Sequence, residues 1–218
     1  MPSRNRNPVY CDQEGELMGI YVNPGNTAYK ETLNSFIYVD KSELITHTNQ
    51  CLNTMQKNLC VSRPRRFGKS MAADMLTAYY SKGCNSKALF SGRKVENAAS
   101  FTTHLNQHNV IRLDIQRFLE SESELPKYIA EIERRIILEL RKEFPECDAF
   151  GEECRLKDVL DQIFLHTGNG FIFIIDEWDC VFRIAKEQKT AQKRYLDFLR
   201  GLFKGADYVE LVYMTGIL

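Results

Sequence analysis

The chain has 218 residues, 44% of them hydrophobic and 27% charged, a globular mix long enough for one sizeable domain or two small ones. Its 29 Lys and Arg balance 29 Asp and Glu, so it lacks the overall basic charge of a nucleic-acid or anionic-membrane binder, although a local basic patch remains open. No apolar run approaches the roughly 18–20 residues of a membrane span. MPSRNRNPVYCDQEGELMG at the start also lacks the apolar stretch of a secretory signal, so the reading is a cytoplasmic chain with no membrane partner.

Residues 1–35 are rich in Asn, Pro and Gly, with NPGN at 23–26, and read as an irregular lead-in to a domain over 36–218. Asp40 followed by Glu43 predicts a helix N-cap with its reciprocal partner. The helix would run to about Met55, with Leu44, Ile45, Cys51, Leu52 and Met55 on one face. NLCVS at 58–62 is a short apolar run, followed by the basic turn RPRRFGKS and a helix in which Met71, Met75, Leu76 and Tyr79 keep helical spacing. Residues 81–108 are loop-like, and NVIRLDI at 109–115 alternates as a strand does.

Ile129, Ile132, Ile136, Ile137 and Leu140 mark a helix that Pro145 keeps from continuing. Its Glu, Arg and Lys residues predict a solvated, self-paired face. Leu156, Val159, Leu160, Ile163 and Phe164 mark another helix, ended by Gly168 and Gly170. FIFII at 171–175 is a continuous apolar run, the pattern of a strand buried on both faces of a parallel sheet. Helical spacing returns at Tyr195, Leu196, Leu199, Leu202 and Phe203, and YVELVYM at 208–214 is a closing strand before Thr215. Strands separated by crossover-length helices predict a three-layer α/β fold with a mainly parallel central sheet.

The seven cysteines (Cys11, Cys51, Cys60, Cys84, Cys147, Cys154, Cys180) include no CxxC pair, and the four histidines have no metal-binding spacing. Reduced thiols are expected rather than a disulfide or zinc framework.

A phosphate-binding loop needs exposed backbone N–H groups, a helix N-terminus behind them and a positive side chain. The stretch Arg63, Pro64, Arg65, Arg66, Phe67, Gly68, Lys69, Ser70 supplies Gly-Lys-Ser at a strand-to-helix junction. Gly68 would let the backbone approach phosphate, Lys69 would reach the β- and γ-phosphates, and the Ser70 hydroxyl would bind Mg²⁺. Arg63 occupies the place of the pattern's first glycine. The apolar FIFII run then delivers Asp176 and Glu177 to a strand end, where open parallel sheets bind ligands. Asp176 is the candidate for the metal and Glu177 for orienting or deprotonating a water.

NVIRLDI lies between the two motifs, so the expected fold is a P-loop NTPase with an additional strand between the Walker A and Walker B strands. Thr215 stands at a strand end where such ATPases place a polar residue that senses the γ-phosphate; a plain strand-ending threonine is the alternative. Arg63, Arg65, Arg66 and Lys69 cluster four positive charges. They would supplement phosphate neutralisation or contact a nucleic-acid backbone, or else Arg65 or Arg66 would pair with Asp114 or Asp179. Trp178 is expected to pack rather than to stack on a base.

SRPRRFGKS at 62–70, YVDKSELI at 38–45, FIFIIDEWD at 171–179 and YMTGIL at 213–218 together resemble the AAA-ATPase-like family. The resemblance implies that Arg63 belongs to that family's own loop pattern. It also implies ATP as the bound nucleotide and a soluble P-loop ATPase domain from about residue 20 onward. Family members commonly carry a C-terminal region resembling PD-(D/E)xK nucleases; the sequence ends just after the Thr215 strand and is therefore read as a truncated member or a fragment. The leading expectation is a Mg²⁺-dependent ATPase with a water nucleophile. A nucleotide-binding switch or scaffold, and an accessory module with a nucleic-acid or nuclease-like partner, stay open beside it.

Overall fold

Four parallel strands organise the chain, and the reason is visible in their composition. The computed structural model describes residues 10–11, 17–121, 125–148, 150–151 and 154–217. A two-residue antiparallel ladder, β1 (Tyr10–Cys11) with β2 (Leu17–Met18), precedes the central sheet. The sheet is built from β3 (Asn58–Ser62), β4 (Asn109–Asp114), β5 (Phe171–Asp176) and β6 (Val209–Gly216) in the order β3-β6-β5-β4. Every pairing in it is parallel. All six residues of β5 are buried, as a strand covered on both faces must be. The strand standing between β3 and β5 in space is β6, whereas β4, which lies between them in sequence, takes an edge.

Alternation along the strands sorts the side chains into two cores. Phe171, Phe173 and Ile175 join Ile111, Leu113 and Val212 on one face. Against that face pack α5 (Ile115–Ser121), α6 (Leu125–Glu143), α7 (Leu156–Thr167), α8 (Cys180–Ile184) and α9 (Lys189–Phe203). Ile172 and Ile174 join Val110, Leu211 and Tyr213 on the other face, under α1 (Thr27–Leu33), α2 (Glu43–Cys51) and α3 (Lys69–Tyr80). Each fully buried Ile or Phe in these layers contributes about 1.5–3 kcal/mol of burial free energy. The expected three-layer α/β architecture with a parallel sheet is what these elements form.

The β4 edge is closed by an upstream segment. Val22 bridges Ile111 antiparallel, Arg112 donates its N–H to the Tyr21 carbonyl at 2.8 Å, and Asn23 donates to Val110 at 2.8 Å. The Glu139 carboxylate of α6 accepts the N–H groups of Ile20, Tyr21 and Val22. The Val110 and Arg112 N–H groups, which an uncovered edge would leave to solvent or to another strand, are thereby engaged.

Three local expectations need correction. Within 1–35, expected to be irregular, Thr27–Leu33 is helical; only Tyr29 and Leu33 mark its apolar side, too few for periodicity to register. The Asp40–Glu43 capping box does not form. Ser42 takes the N-cap position, Asp40 accepts the N–H groups of Ser42 and Lys94, and Glu43 pairs with Lys94 at 2.7 Å. The helix also ends at Cys51 rather than near Met55, which is exposed.

Residues 81–108 are largely loop, with 3₁₀ turns at Lys87–Phe90 and Lys94–Asn97 and one short helix, α4 (Phe101–His104). Gly168 ends α7 in the left-handed region at φ +70°, which a residue without Cβ adopts most easily. On α6, Glu131 pairs with Arg134 and Arg135, the self-paired face the sequence suggests. The six cysteines with described side chains are free. Among the described residues no helix is long and apolar enough to cross a membrane.

Candidate functional site

The carboxyl ends of β3, β5 and β6 meet in one place, because parallel strands present the same end to the same side. From β3 the chain enters the loop Arg63–Gly68, whose first N–H donates to the Gly216 carbonyl at 3.2 Å. Arg66 and Gly68 both take left-handed backbone, at φ +67° and +73°. Left-handed residues in a loop that leads into a helix N-terminus are the backbone pattern of concave N–H arrays able to bind anions. A Cβ on Gly68 would stand 2.9 Å from the Lys41 ammonium, so glycine serves there for both backbone sign and space.

Lys69 is buried, and its ammonium donates to the carbonyls of Arg63 at 3.0 Å and Pro64 at 3.2 Å. It also lies 3.9 Å from a Glu177 carboxylate oxygen. The lysine is therefore folded back over its own loop, on main-chain acceptors that phosphate oxygens can replace. Ser70 is exposed. Arg63, Pro64, Arg65, Arg66 and Phe67 are exposed as well. Among the described residues neither Arg65 nor Arg66 forms an ion pair. Of the two alternatives left open for Arg65 and Arg66, the ion pair with Asp114 or Asp179 is not seen among the described residues: Asp179 is bound by Arg183 at 2.9 Å, and Asp114 accepts the N–H groups of Gln116 and Arg117.

Asp176, 2% exposed, ends β5. One of its oxygens accepts the Thr215 hydroxyl in a short hydrogen bond and the Glu177 N–H at 3.1 Å. Its other oxygen faces the Arg112 guanidinium at 3.5 Å. Glu177 turns out of the strand at φ +53°, and its carboxylate is held by Arg183 in a short ion pair. Asp179, fully buried, accepts the Ile217 N–H at 2.9 Å. Trp178 donates its backbone N–H to the Thr215 carbonyl at 3.1 Å, and its ring packs on Phe182. Through these bonds the ends of β5 and β6 form one rigid block carrying Asp176, Glu177 and Thr215.

Two polar cavities open on this edge. One, about 400 Å³, is lined by Arg65, Arg66, Lys69, Ser70, Gln116 and Glu177. The second, about 560 Å³, brings Ser70 and Asp176 together with Asp74, Arg112 and Asp114. Ser70 lines both cavities. A hydroxyl and a carboxylate sharing one cavity are hard oxygen donors. That set suits Mg²⁺, which takes one or two protein ligands and completes its shell with phosphate and water. Among the described residues no group of three or more His, Cys, Asp or Glu is arranged to hold a metal alone.

Three residues of the site escaped the sequence reading. Arg112 stands on the phase of β4 opposite Ile111 and Leu113 and bridges Asp74, at 3.1 Å, and Asp176. Asp74 sits one helical turn beyond Ser70. Burial raises its carboxyl above the ordinary value, and the neighbouring Arg112 charge works against that rise. Arg183 spans Glu177 and Asp179. A basic residue inside a mainly apolar strand was the signal for Arg112; Arg183 had none.

The YVDKS stretch is fastened to the Arg63–Gly68 loop. Lys41 donates to the Phe67 carbonyl at 2.8 Å. The Tyr38 hydroxyl hydrogen-bonds that of Tyr29 at 3.0 Å, and Arg93 lies over the Tyr38 ring.

Compared with known proteins, residues 26–218 match the sequence model of one family, described as Predicted AAA-ATPase. No curated protein matches the chain.

Proposed function

The chain belongs to the family of predicted AAA-ATPases, and on that premise we propose that it binds ATP with Mg²⁺ and hydrolyses it with a water nucleophile. One observation carries the reading. The loop that starts α3 and the acidic end of β5 converge so closely that the Lys69 ammonium lies 3.9 Å from the Glu177 carboxylate. The strand expected in the additional place, NVIRLDI, is β4 and takes the sheet edge. It is β6, later in the chain, that stands between β3 and β5, and with β6 in that place the sheet supports a P-loop NTPase reading with an additional strand.

Each residue then has a distinct task. Backbone N–H groups of Arg63–Ser70 receive the phosphates, with Arg65 and Arg66 adding charge from the loop surface. Lys69 exchanges its two carbonyl partners for β- and γ-phosphate oxygens. Ser70 and Asp176 would hold Mg²⁺, which supplies neutralisation of charge on the phosphate oxygens. Glu177 orients the attacking water and takes its proton. Thr215, bonded to Asp176, couples the end of β6 to the phosphate-bearing edge.

One observation favours a second reading, a nucleotide switch with negligible intrinsic turnover: the Glu177 carboxylate is engaged by Arg183. A carboxylate held by a guanidinium has fewer lone pairs free to receive and orient a water. Phosphate release from the purified chain, with and without Mg²⁺, separates the two. Under the ATPase reading, Glu177→Gln retains ATP binding while turnover falls roughly 10²–10⁴-fold. Asp176→Asn weakens Mg²⁺-dependent binding and turnover together. Equal phosphate release by wild type and Glu177→Gln removes Glu177 from the chemistry and leaves the switch.

A further inference from the structure

At the end of the sheet away from the Arg63–Gly68 loop, three titratable side chains form a line that the nucleotide reading does not use. His108, directly before β4, places Nδ1 2.6 Å from a carboxylate oxygen of Glu210 on β6. Its Nε2 lies 3.0 Å from Nδ1 of His104, the last residue of α4. The other Glu210 oxygen accepts the Gly170 N–H at 3.3 Å, just before β5. The His108 and Glu210 side chains are 14% and 17% exposed, so water competes little for these bonds.

The protons on this line follow from its geometry. An ionised carboxylate only accepts, so His108 donates from Nδ1 to Glu210. Neutral His108 then presents Nε2 as an acceptor, and His104 donates to it from Nδ1. One added proton leaves both bonds intact, because it can sit on the outer nitrogen of His104. A second added proton must go onto His108 Nε2. It sets N–H against N–H across the 3.0 Å contact, and one cation against another. Both rings therefore become cationic only when they part. The surrounding groups do not relieve this conflict. The Tyr80 ring meets His108 edge-on, with its hydroxyl bonded to Asn49 and Thr48. The Lys82 ammonium is turned to Glu143 at 3.1 Å, and that of Lys57 to the Val209 carbonyl at 2.7 Å. Burial holds the His104 imidazole below its ordinary value, the His108 charge adds to that, and Glu210 works against both.

We propose that Glu210, His108 and His104 form a pH-operated clasp, which holds α4 to the amino end of the sheet near neutral pH and releases it on acidification. The His108 side of the turn is pinned independently. Its backbone N–H donates to the Tyr80 carbonyl at 3.0 Å, and the Asn106 amide donates to the Ala78 and Ser81 carbonyls. What the clasp frees is therefore the His104 end. There α4 has four residues, too few to keep a helix without tertiary contacts. An imidazole held below its unfolded value of about 6.5 leaves the fold at full strength above that pH and weakens it as pH falls through it. Nothing in the clasp depends on nucleotide, so it stands or falls apart from the ATPase reading.

Two measurements on the whole chain test it. The first is backbone hydrogen exchange followed by mass spectrometry at about pH 7 and about pH 5, corrected for the intrinsic pH dependence of exchange, on wild type and His104→Asn. Asn sets a non-titrating amide near the position of Nδ1, so the bond to His108 survives while its pH response is lost. The peptide spanning residues 101–105 reports on α4, because the Leu105 N–H donates to the Phe101 carbonyl. Its protection should fall at least about fivefold in wild type and less than about twofold in the variant, with β5 unchanged in both. Equal protection of wild type at the two pH values, or the same fall in the variant, overturns the clasp. The second measurement needs no variant: NMR titration of the His104 and His108 imidazole signals. Two separated, coupled steps are expected, the lower one below about 6.5. Two independent titrations near about 6.5 overturn the clasp, since rings that share one bridging proton cannot take up protons separately.

Discussion

Arg112 is the charge on which the buried acids of the site depend, and its removal is the most demanding test of the packing described above. Its side chain is 14% exposed, that of Asp176 3% and that of Asp74 25%. Breaking a buried ion pair by removing one partner costs about 3–5 kcal/mol, because the surviving charge stays without compensation. Asp74 borders a cavity wide enough for water, which moderates the penalty, so Arg112→Met should cost about 2–4 kcal/mol. Urea unfolding at neutral pH measures this as a lowered midpoint at unchanged slope.

The companion variant Arg112→Met/Asp74→Leu removes one stranded carboxylate with the guanidinium. It should be more stable than Arg112→Met by at least about 1 kcal/mol, since residues in one ion-pair network do not behave additively. A loss below about 1 kcal/mol for the single variant, or a double variant as unstable as the sum of its parts, would refute the bridging role of Arg112.

The exposed arginines give a second prediction. If Arg65 and Arg66 meet phosphate, changing both to Ala weakens ATP more than AMP, because ATP alone carries the distal charge; equal losses by titration would place them outside the phosphate site. A third concerns acid stability. Hydrogen bonding from Arg134, opposed by partial burial and joined by Arg135, holds the Glu131 carboxyl down at about 2. A depressed carboxyl stabilises the fold above its unfolded value and loses that contribution as pH falls through the folded one. The stability gap between wild type and Glu131→Gln should therefore be present at pH 6 and close between about pH 4.5 and 2; a gap constant across a pH series of melts contradicts the pairing.

Much of the fold was legible in the sequence because its signals are local. FIFII announces a doubly covered strand, and β5 is buried throughout. Gly-Lys-Ser after an apolar run announces a strand-to-helix turn, and α3 starts at Lys69. The rest depends on partners far along the chain. Arg112 acquires its meaning from Asp74 and Asp176, on a different helix and strand. Asp40 and Glu43, whose spacing fits a helix cap, instead spend their oxygens on Ser42 and Lys94, and Lys94 arrives from a later loop. The covering of the β4 edge by Tyr21–Asn23 also rests on a carboxylate from α6. Short helices such as α1 and α8 carry too few apolar positions to establish a period.

The central claim is that the loop at the start of α3 binds nucleotide phosphate through Lys69. The most direct measurement is Mg²⁺-ATP affinity of wild type and Lys69→Ala by equilibrium titration, with thermal melts to establish that both are folded. The account predicts measurable binding by wild type and at least a tenfold loss in the variant, about 1.4 kcal/mol. A folded Lys69→Ala protein that binds ATP as tightly as wild type would contradict it, leaving Gly68-Lys69-Ser70 as the start of a helix and nothing more.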